Sequence, residues 1–328
     1  MGNKMARRQL FDLHADNWGA VKQDPGIHVK PDLDDVFVCP LCFKLYSRKE
    51  LENDLLALEH VPPKAMGGKD RECTLTCRKC NNDTGSQLES FLKSELEAVD
   101  LFAGIPGASI DVKYSPRPGG EGMWLPATLR SQSGGFDILG HPHRAHPQLI
   151  ETVSEEDFMR EVTEFKMKFL THPQNAAVAL LKVAYLSVFR LFGYAALIPE
   201  SMQSVRGQIM NPFEPILPRR WIVRWPFLDD YLGVSFVFWS EDLRAYLVTF
   251  DLDSGRRTRR FGVVLPQPDD TDLEVYDHLL SRSSSTAVLF APKGEVDFVR
   301  KPFDVFSLWK QCIADLMSES SGSSMIPE

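Results

Sequence analysis

The chain has 328 residues, with 37 lysines and arginines against 45 aspartates and glutamates, so its formal net charge is −8. Hydrophobic residues make up 43% of the chain and charged residues 25%. These are ordinary values for a folded protein and exclude wholesale disorder or a fibrous repeat. The acidity also excludes a protein that coats nucleic acid through bulk charge. The length allows two domains.

The first 33 residues are polar, and Pro25-Gly26 and Pro31 interrupt any regular element. We therefore predict a loose N-terminal arm over residues 1–33. The opening stretch, Met1–Leu13, is polar and basic and lacks the apolar core of a secretion signal. This predicts a cytoplasmic protein.

Four of the six cysteines form two C-x2-C pairs, Cys39 with Cys42 and Cys77 with Cys80. In a reducing compartment such cysteines do not indicate a disulfide framework. Two such pairs supply the four thiolates of a closed tetrahedral zinc site, so we predict structural Zn²⁺. Cys73 falls outside this spacing and is interpreted as a free thiol.

Three polar residues lie between or next to the cysteine pairs: Glu59, His60 and Asn81. Carboxylate and amide oxygens suit Mg²⁺ or Mn²⁺ rather than a thiolate site. Neighbouring residues on a strand point to opposite sides. Glu59 and Asn81 are therefore predicted to hold a catalytic divalent ion, while His60 stays free to take a proton from water.

This arrangement resembles the HNH endonucleases, which have the ββα-metal nuclease fold. The resemblance covers Val36–Leu101, and is closest to the zinc-stapled subgroup that includes the phage junction-resolving endonucleases. It is also similar to a bacterial HNH group in which an EHVPPKA segment precedes an LTC-x2-CNN segment. The residues that carry it are Cys39-x2-Cys42, Glu59-His60-Val61-Pro62, Leu75-Thr76-Cys77-x2-Cys80-Asn81-Asn82 and Gly85.

The resemblance implies that His60 is the general base of a one-metal phosphodiester hydrolysis. It implies that Glu59 and Asn81 are metal ligands, and that the four cysteines hold structural zinc. Two departures stand out. The acid is Glu59 where many relatives have Asp, and Thr84-Gly85-Ser86 stands where the family often has a further His or Lys. A third contact to the ion is left open between water, Asp83 and Asn82.

Basic residues around these motifs are the candidate nucleic-acid contacts. Lys64, Lys69, Arg78 and Lys79 flank the predicted catalytic loop, and Arg257 and Arg259 belong to the densest basic run in the chain. Arginine forks match phosphate oxygens, and most nucleic-acid contacts go to the backbone. A solvated hairpin tip is the alternative interpretation of the arginine run.

The rest of the chain predicts helices and an antiparallel sheet. Ser86 is expected to cap a helix over Gln87–Leu101. The apolar stretch Ala176–Ile198 carries Lys182 and Arg190, which indicates a buried helix rather than a membrane span. Further helices are predicted over Ser154–Phe169, Asn175–Leu197 and Asp304–Met317. Strands are predicted over Ala108–Tyr114, Met123–Arg130, Phe136–Leu139, Trp221–Trp225, Leu232–Trp239, Leu243–Asp251, Arg257–Leu265 and Ala287–Phe290.

The predicted fold class is α+β: a zinc-stapled ββα-metal module over residues 34–104, an α+β domain of helices and antiparallel sheet over 105–317, and a disordered tail over 318–328. The predicted function is metal-dependent hydrolysis of DNA, expected to be double-stranded, in restriction or anti-phage defence. Two alternatives stay open. One is a nuclease effector held inactive until a partner protein or small ligand acts through the C-terminal domain. The other is a non-catalytic zinc module that binds nucleic acid or protein. A homo-oligomer is also left open, and no membrane partner is expected.

Overall fold

The computed structural model describes residues 3–23, 33–115, 124–146, 148, 151, 164–167, 172–218, 221–223, 231–238, 244–266, 273, 275–277, 288–290 and 299–301. Within these residues the chain combines helices with antiparallel sheets, which confirms the α+β class. The predicted helix Asp304–Met317, Cys312 and the tail 318–328 lie outside the described residues.

The N-terminal segment is a helix, α1 (Asn3–Lys22), and the predicted loose arm is wrong for these residues. Phe11, Ala15, Trp18 and Val21 are all buried. They recur every three or four residues and therefore share one helix face. The polar residues between them made the segment look uniformly hydrophilic, although a narrow apolar face is enough to dock a helix.

Two short hairpins and a long helical run follow. Strands β1 (Phe37–Val38) and β2 (Leu45–Tyr46) pair antiparallel. The helix α2 (Arg48–Glu52) leads into a second hairpin, formed by the five-residue strands β3 (Leu56–His60) and β4 (Cys73–Cys77). Helix α3 (Arg78–Thr84) starts directly after β4, continues through a π-turn (Gly85–Glu89) and joins α4 (Ser90–Phe102).

The predicted helix start at Ser86 is therefore wrong. The helical run begins at Arg78, where Cys77 is the N-cap and its sulfur accepts from the Cys80 backbone N–H. Ser86 lies inside the run, and its hydroxyl donates to the Asp83 carbonyl. Gly85 has ordinary right-handed helical angles, so glycine at this position does not interrupt the helix.

A four-stranded antiparallel sheet comes next, in the order β7-β6-β5-β8. It has its own small apolar cluster around Val112, Leu125 and Leu129. Strand β8 contradicts the predicted helix over 154–169, of which residues 154–163 and 168–169 lie outside the described residues. Its backbone pairs with the edge of β5, and such non-local pairing outweighs local helix propensity. The strands are β5 (Ser109–Ser115), β6 (Leu125–Gln132), β7 (Gly135–Gly140) and β8 (Glu164–Met167).

Helix α5 (Pro173–Phe192) is the central element of the fold. The segment Pro173–Ala196 has the length and hydropathy of a membrane span, but 78% of its most apolar window is buried inside the protein. The prediction of a buried helix in this region is confirmed. A 3₁₀ turn (Gly193–Ala196) and helix α6 (Glu200–Met210) follow it.

The second large sheet has the strand order β13-β10-β11-β12-β9 and is antiparallel throughout. Its buried members include Trp221, Phe236 and Phe238, so the aromatic stretch Trp221–Trp239 is sheet core where it is described. The strands are β9 (Ile222–Val223), β10 (Gly233–Phe238), β11 (Arg244–Asp253), β12 (Thr258–Pro266) and β13 (Val288–Phe290).

One hydrophobic core joins the zinc-binding region to the C-terminal elements. It runs from Trp18 of α1 through Phe37 and Leu75 of the hairpins to Phe189 of α5 and Tyr246 of β11. The domain boundary near residue 104 stays a prediction, but this core extends across it. Helix α5 therefore packs directly behind the predicted catalytic hairpin.

Candidate metal centre and adjoining loop

The four predicted zinc ligands come together. The sulfur atoms of Cys39, Cys42, Cys77 and Cys80 all lie within 4.8 Å of one another, and Cys42 Sγ is 3.8 Å from Cys77 Sγ. Four Zn–S bonds of about 2.3 Å in a tetrahedron place the sulfurs about 3.8 Å apart. This quartet can therefore hold a structural metal ion, and its chemistry and dimensions suit zinc.

Two of the four sulfurs accept hydrogen bonds from backbone N–H groups. The backbone N–H of Cys77 donates to Cys39 Sγ at 3.3 Å, and that of Cys80 donates to Cys77 Sγ at 3.4 Å. The hydrogen bond with Cys39 is the largest of the effects that lower the pKa of Cys42 to about 7. Thiolate, rather than thiol, is the form that binds a metal.

Helix α5 and the turn after it anchor the first cysteine pair. The Tyr185 hydroxyl donates to the Pro40 carbonyl at 2.9 Å. The Tyr194 hydroxyl donates to the Val38 carbonyl at 2.6 Å and accepts from the Val38 backbone N–H at 3.0 Å. Both tyrosines are fully buried. The position of the first cysteine pair therefore depends on residues far along the chain.

Glu59 and Asn81 meet, as the sequence predicts. Glu59 lies near the end of β3 and Asn81 on the first turn of α3, and Asn81 Nδ2 donates to Glu59 Oε2 at 2.6 Å. Asn81 Nδ2 also lies 3.3 Å from the Leu58 carbonyl. Cys77 and Cys80, two members of the quartet, place the start of α3 beside the hairpin, so a carboxylate and an amide face each other there.

Sequence reasoning missed two partners of Glu59. Lys182 Nζ of α5 lies 2.8 Å from Glu59 Oε1 and 2.5 Å from Glu89 Oε1. The Lys182 side chain is 1% exposed and that of Glu59 5%. A buried ammonium thus sits between two carboxylates, one on β3 and one on the π-turn. A lone lysine in a predicted buried helix was the available signal, because a buried charge must find a partner.

Burial sets the ionisation of this cluster. Burial raises the pKa of Glu59 to about 7, against the opposing pull of Lys182. For Lys182, burial alone would lower the pKa, but the charges of Glu59 and Glu89 outweigh it and the pKa rises. The lysine is therefore a permanent cation at neutral pH.

The carboxylate and amide oxygens of Glu59 and Asn81 have the donor chemistry of a Mg²⁺ or Mn²⁺ site. In the conformation described, however, the Lys182 ammonium and the Asn81 amide engage both oxygens of Glu59. A divalent ion fits this donor set only if it displaces Lys182 and the Asn81 amide turns its oxygen towards the ion.

His60 lies on the other side of β3 from Glu59 and is less buried. Its Nε2 is 3.4 Å from Asp70 Oδ1, and its side chain is 21% exposed. Asp70 in turn binds Lys64 Nζ at 2.7 Å. These residues belong to a tight loop in which a Cβ on Gly68 would come within 1.9 Å of the Pro62 carbonyl. Glycine at this position lets the loop close over the end of β3.

The residues left open as a third ion contact do not join Glu59 and Asn81. Asn82 is exposed on α3, and the Asp83 carboxylate forms an ion pair with Lys79. The Thr84 hydroxyl donates to the Cys80 carbonyl at 2.7 Å. The described residue that completes the cluster is Glu89, which lies one π-turn further on.

Most of the predicted nucleic-acid contacts already have an acidic partner. Lys64 pairs with Asp70, Lys69 Nζ lies 3.9 Å from Glu72 Oε1, Arg78 pairs with Asp54, Lys79 with Asp83, and Arg259 with Asp100. Within the described ranges, Arg257 is exposed and its guanidinium makes no ion pair. It is therefore the most available of the predicted cations.

His141 and His143, which follow β7, belong to no metal-binding group among the described residues. His141 Nε2 lies 2.8 Å from the Thr128 hydroxyl, and His143 is exposed. Across the part of the chain that the structure describes, the cysteine quartet is the one group of three or more metal-ligating side chains. Cys73 is separate from the quartet, and its sulfur lies 3.4 Å from the Asp70 carbonyl.

No protein-family model, no curated protein and no solved structure matches this chain. The function is therefore inferred from the residues and contacts described above.

Proposed function

We propose that this protein is a metal-dependent DNA endonuclease of the HNH type. The observation that carries the proposal is the contact between Glu59 and Asn81, at 2.6 Å, on a hairpin and helix joined by the cysteine quartet. The antiparallel β3–β4 pair followed at once by α3 has the order expected of a ββα-metal module. Its catalytic candidates come from the strand and helix that the zinc would clamp.

In this proposal His60 is the general base. It lies at the end of β3, partly open to solvent, with Asp70 close to Nε2. The carboxylate can stabilise the imidazolium that forms when His60 takes a proton from the attacking water. A Mg²⁺ or Mn²⁺ ion held by Glu59 and Asn81 would supply stabilisation of the charge that develops on the phosphate. The cytoplasm is the proposed compartment.

The position of Lys182 supports a more specific second candidate, a nuclease that is closed in this conformation. Its ammonium lies against the carboxylate proposed as metal ligand. Two cations this close to one carboxylate repel each other strongly in a buried site. In this second candidate, α5 must shift before the divalent ion binds, and a partner protein or ligand provides the shift.

The test is cleavage of supercoiled plasmid with Mg²⁺ or Mn²⁺ by four proteins: the wild type, His60→Ala, the exposed-histidine control His143→Ala, and Lys182→Met. Removing a general base costs about 100-fold or more in rate. We expect His60→Ala to lose activity by at least that factor and His143→Ala to match the wild type.

The outcomes separate the candidates. Wild-type cutting that needs His60 supports an open nuclease. An inert wild type together with a cutting, cooperatively folded Lys182→Met supports the closed form. If all four proteins leave the plasmid intact, the nuclease proposal fails and a non-catalytic zinc module is favoured. Equal cutting by His60→Ala and the wild type removes His60 from the mechanism.

A further inference from the structure

A cavity lies between α4, α5 and β12, away from the cysteine quartet and His60. Its volume is about 830 Å³, within the range of about 300–1,000 Å³ typical of small-molecule sites. The walls contributed by α4 and α5 are largely apolar, with Leu96, Val99 and Leu180 among their residues. The wall from β12 is basic and contains Arg257, Arg259 and Arg260. The cavity is therefore apolar on one side and cationic on the other.

The basic wall contains a guanidinium nitrogen that has no hydrogen-bond partner among the described residues. Arg260 is held by Asp251 through two contacts, at 2.8 and 2.9 Å. Arg259 pairs with Asp100 through Nη2, but its Nη1 is buried and has no hydrogen-bond partner among the described residues. Arg257 is exposed and, in the same part of the chain, forms no ion pair. A buried guanidinium nitrogen without an acceptor is costly, so an anion that enters the cavity can relieve that cost at Arg259.

The helical wall carries one acidic exception. Glu95 of α4 lines the cavity, and its Oε2 is buried without a hydrogen-bond partner in the described ranges. This oxygen and Arg259 Nη1 share the cavity but do not bind each other. A ligand that satisfies both must offer an anion for the arginines and a polar edge for the carboxyl group.

We propose that this cavity binds a nucleotide, with its phosphate on Arg257 and Arg259 and the edge of its base on Glu95. The apolar side chains of α4 and α5 then pack against the base. Guanidinium forks match phosphate oxygens. An aliphatic acid has no polar edge that could form a hydrogen bond with Glu95. A bare phosphate has no apolar surface to pack against the side chains of α4 and α5. The nucleotide can be free or part of a nucleic-acid strand.

The proposal requires neither His60 nor a divalent ion, so it is tested without either. Binding of AMP, GMP, CMP and UMP is measured one at a time by calorimetry in the presence of EDTA. Binding of a short single-stranded oligonucleotide is measured in the same buffer by fluorescence anisotropy. The wild type is compared with Arg257→Gln and Glu95→Gln. Matched controls are Arg130→Gln, an exposed arginine on β6, and Glu97→Gln, which lies on α4 outside the cavity.

We expect at least one of the five probes to bind, and each cavity variant to weaken it about 10-fold or more, while both controls bind like the wild type. Arg257→Gln should weaken all bound nucleotides alike, because it removes a phosphate contact. Glu95→Gln should change the order of preference among bases, because it alters the contact with the base edge.

The two sources of the nucleotide give different results. Monophosphates that bind as tightly as the oligonucleotide identify a free nucleotide, and binding of the oligonucleotide alone identifies a strand. No binding of any probe at millimolar concentration overturns the proposal. Binding that neither cavity variant weakens also overturns it, provided that both variants melt like the wild type. His60→Ala should bind the nucleotide unchanged, so loss of the nuclease proposal leaves this test intact.

Discussion

The hairpin β3–β4 with α3 and the helix α5 contribute to the same cluster in different ways. The hairpin region carries the motif residues Cys77, Cys80, Glu59-His60 and Asn81, and the first cysteine pair precedes it, between β1 and β2. Helix α5 carries no motif, yet its Lys182 pairs with Glu59 and its Tyr185 donates a hydrogen bond to Pro40 in the first cysteine pair. The motif region brings the ligands together, and the helix behind it decides which cation they face.

The comparison shows that a motif does not by itself determine the state of a site. Glu59 and Glu89 carry a charge of −2 when both are ionised, and such a pair favours a cation. Lys182 supplies one and reduces the net charge of the cluster to −1. Four experiments test how the hairpin and α5 each contribute to this cluster.

The largest effect is expected from the zinc ligands. Cys77→Ser should abolish stoichiometric zinc and unfold the hairpin region, because structural zinc contributes an apparent free energy on the order of 10 kcal/mol. Zinc content by atomic emission and the melting temperature are the measurements. Cys73→Ser is the matched control, since Cys73 lies on the same hairpin outside the quartet. Full zinc occupancy in Cys77→Ser would contradict the predicted site.

Lys182→Met should follow, with a loss of about 3–5 kcal/mol in the free energy of unfolding, because it leaves the buried Glu59 and the partly buried Glu89 without their cation. Urea unfolding at neutral pH measures this loss. Added Mg²⁺ should restore more stability to Lys182→Met than to the wild type, because the ion can take the vacated position.

The control for that measurement is Lys93→Met, which removes an exposed i,i+4 pair with Glu97 and should change stability by about 0.5 kcal/mol or less. Equal unfolding of Lys182→Met and Lys93→Met would show that α5 does not hold the carboxylates.

Acid should weaken the contact between α1 and α5 at His14. Complete burial lowers the pKa of His14 to about 3, below the ordinary value near 6.5. The unfolded chain therefore binds a proton first, and stability falls as the pH drops from about 6.5 towards 3. The loss is about 2 kcal/mol between pH 6.5 and 5 from this group alone.

The pH dependence of urea unfolding tests this expectation. His14→Phe, which keeps a ring against Phe189, should flatten the slope in that pH window. The exposed control His143→Gln should keep the wild-type slope. An unchanged slope in His14→Phe would mean that other groups cause the acid sensitivity.

The smallest change in stability is expected from the hydrogen bond between Tyr185 and the first cysteine pair. Tyr185→Phe removes the hydrogen bond to Pro40 and should cost about 1–2 kcal/mol, with a matching decrease in zinc affinity. Tyr276→Phe is the control: its hydroxyl donates to the Val264 carbonyl at 3.2 Å in the distant sheet. It should lose similar stability with zinc affinity unchanged. A chelator competition assay decides between the two variants.

Sequence reasoning succeeded where neighbours in the chain control the outcome. The cysteine pairs, the approach of Glu59 to Asn81, the strands of both sheets other than β8, and the buried α5 all follow from spacing and hydrophobic period. It failed where distant contacts dominate. The apolar face of α1 is narrow, and its helix is fixed by contacts with Phe37 and Tyr194. Residues 164–167 form a strand because they pair with the edge of β5.

The donor chemistry can be predicted from the chain alone: four thiolates at C-x2-C spacing, and an acid, an imidazole and an amide beside them. Long-range packing places Lys182, 123 residues after Glu59, against that acid. It also places Arg259 and Glu95 in one cavity. The physical reason is that ligand spacing within a motif is a local property of the chain. The pairing of a buried charge depends on which distant elements share its core.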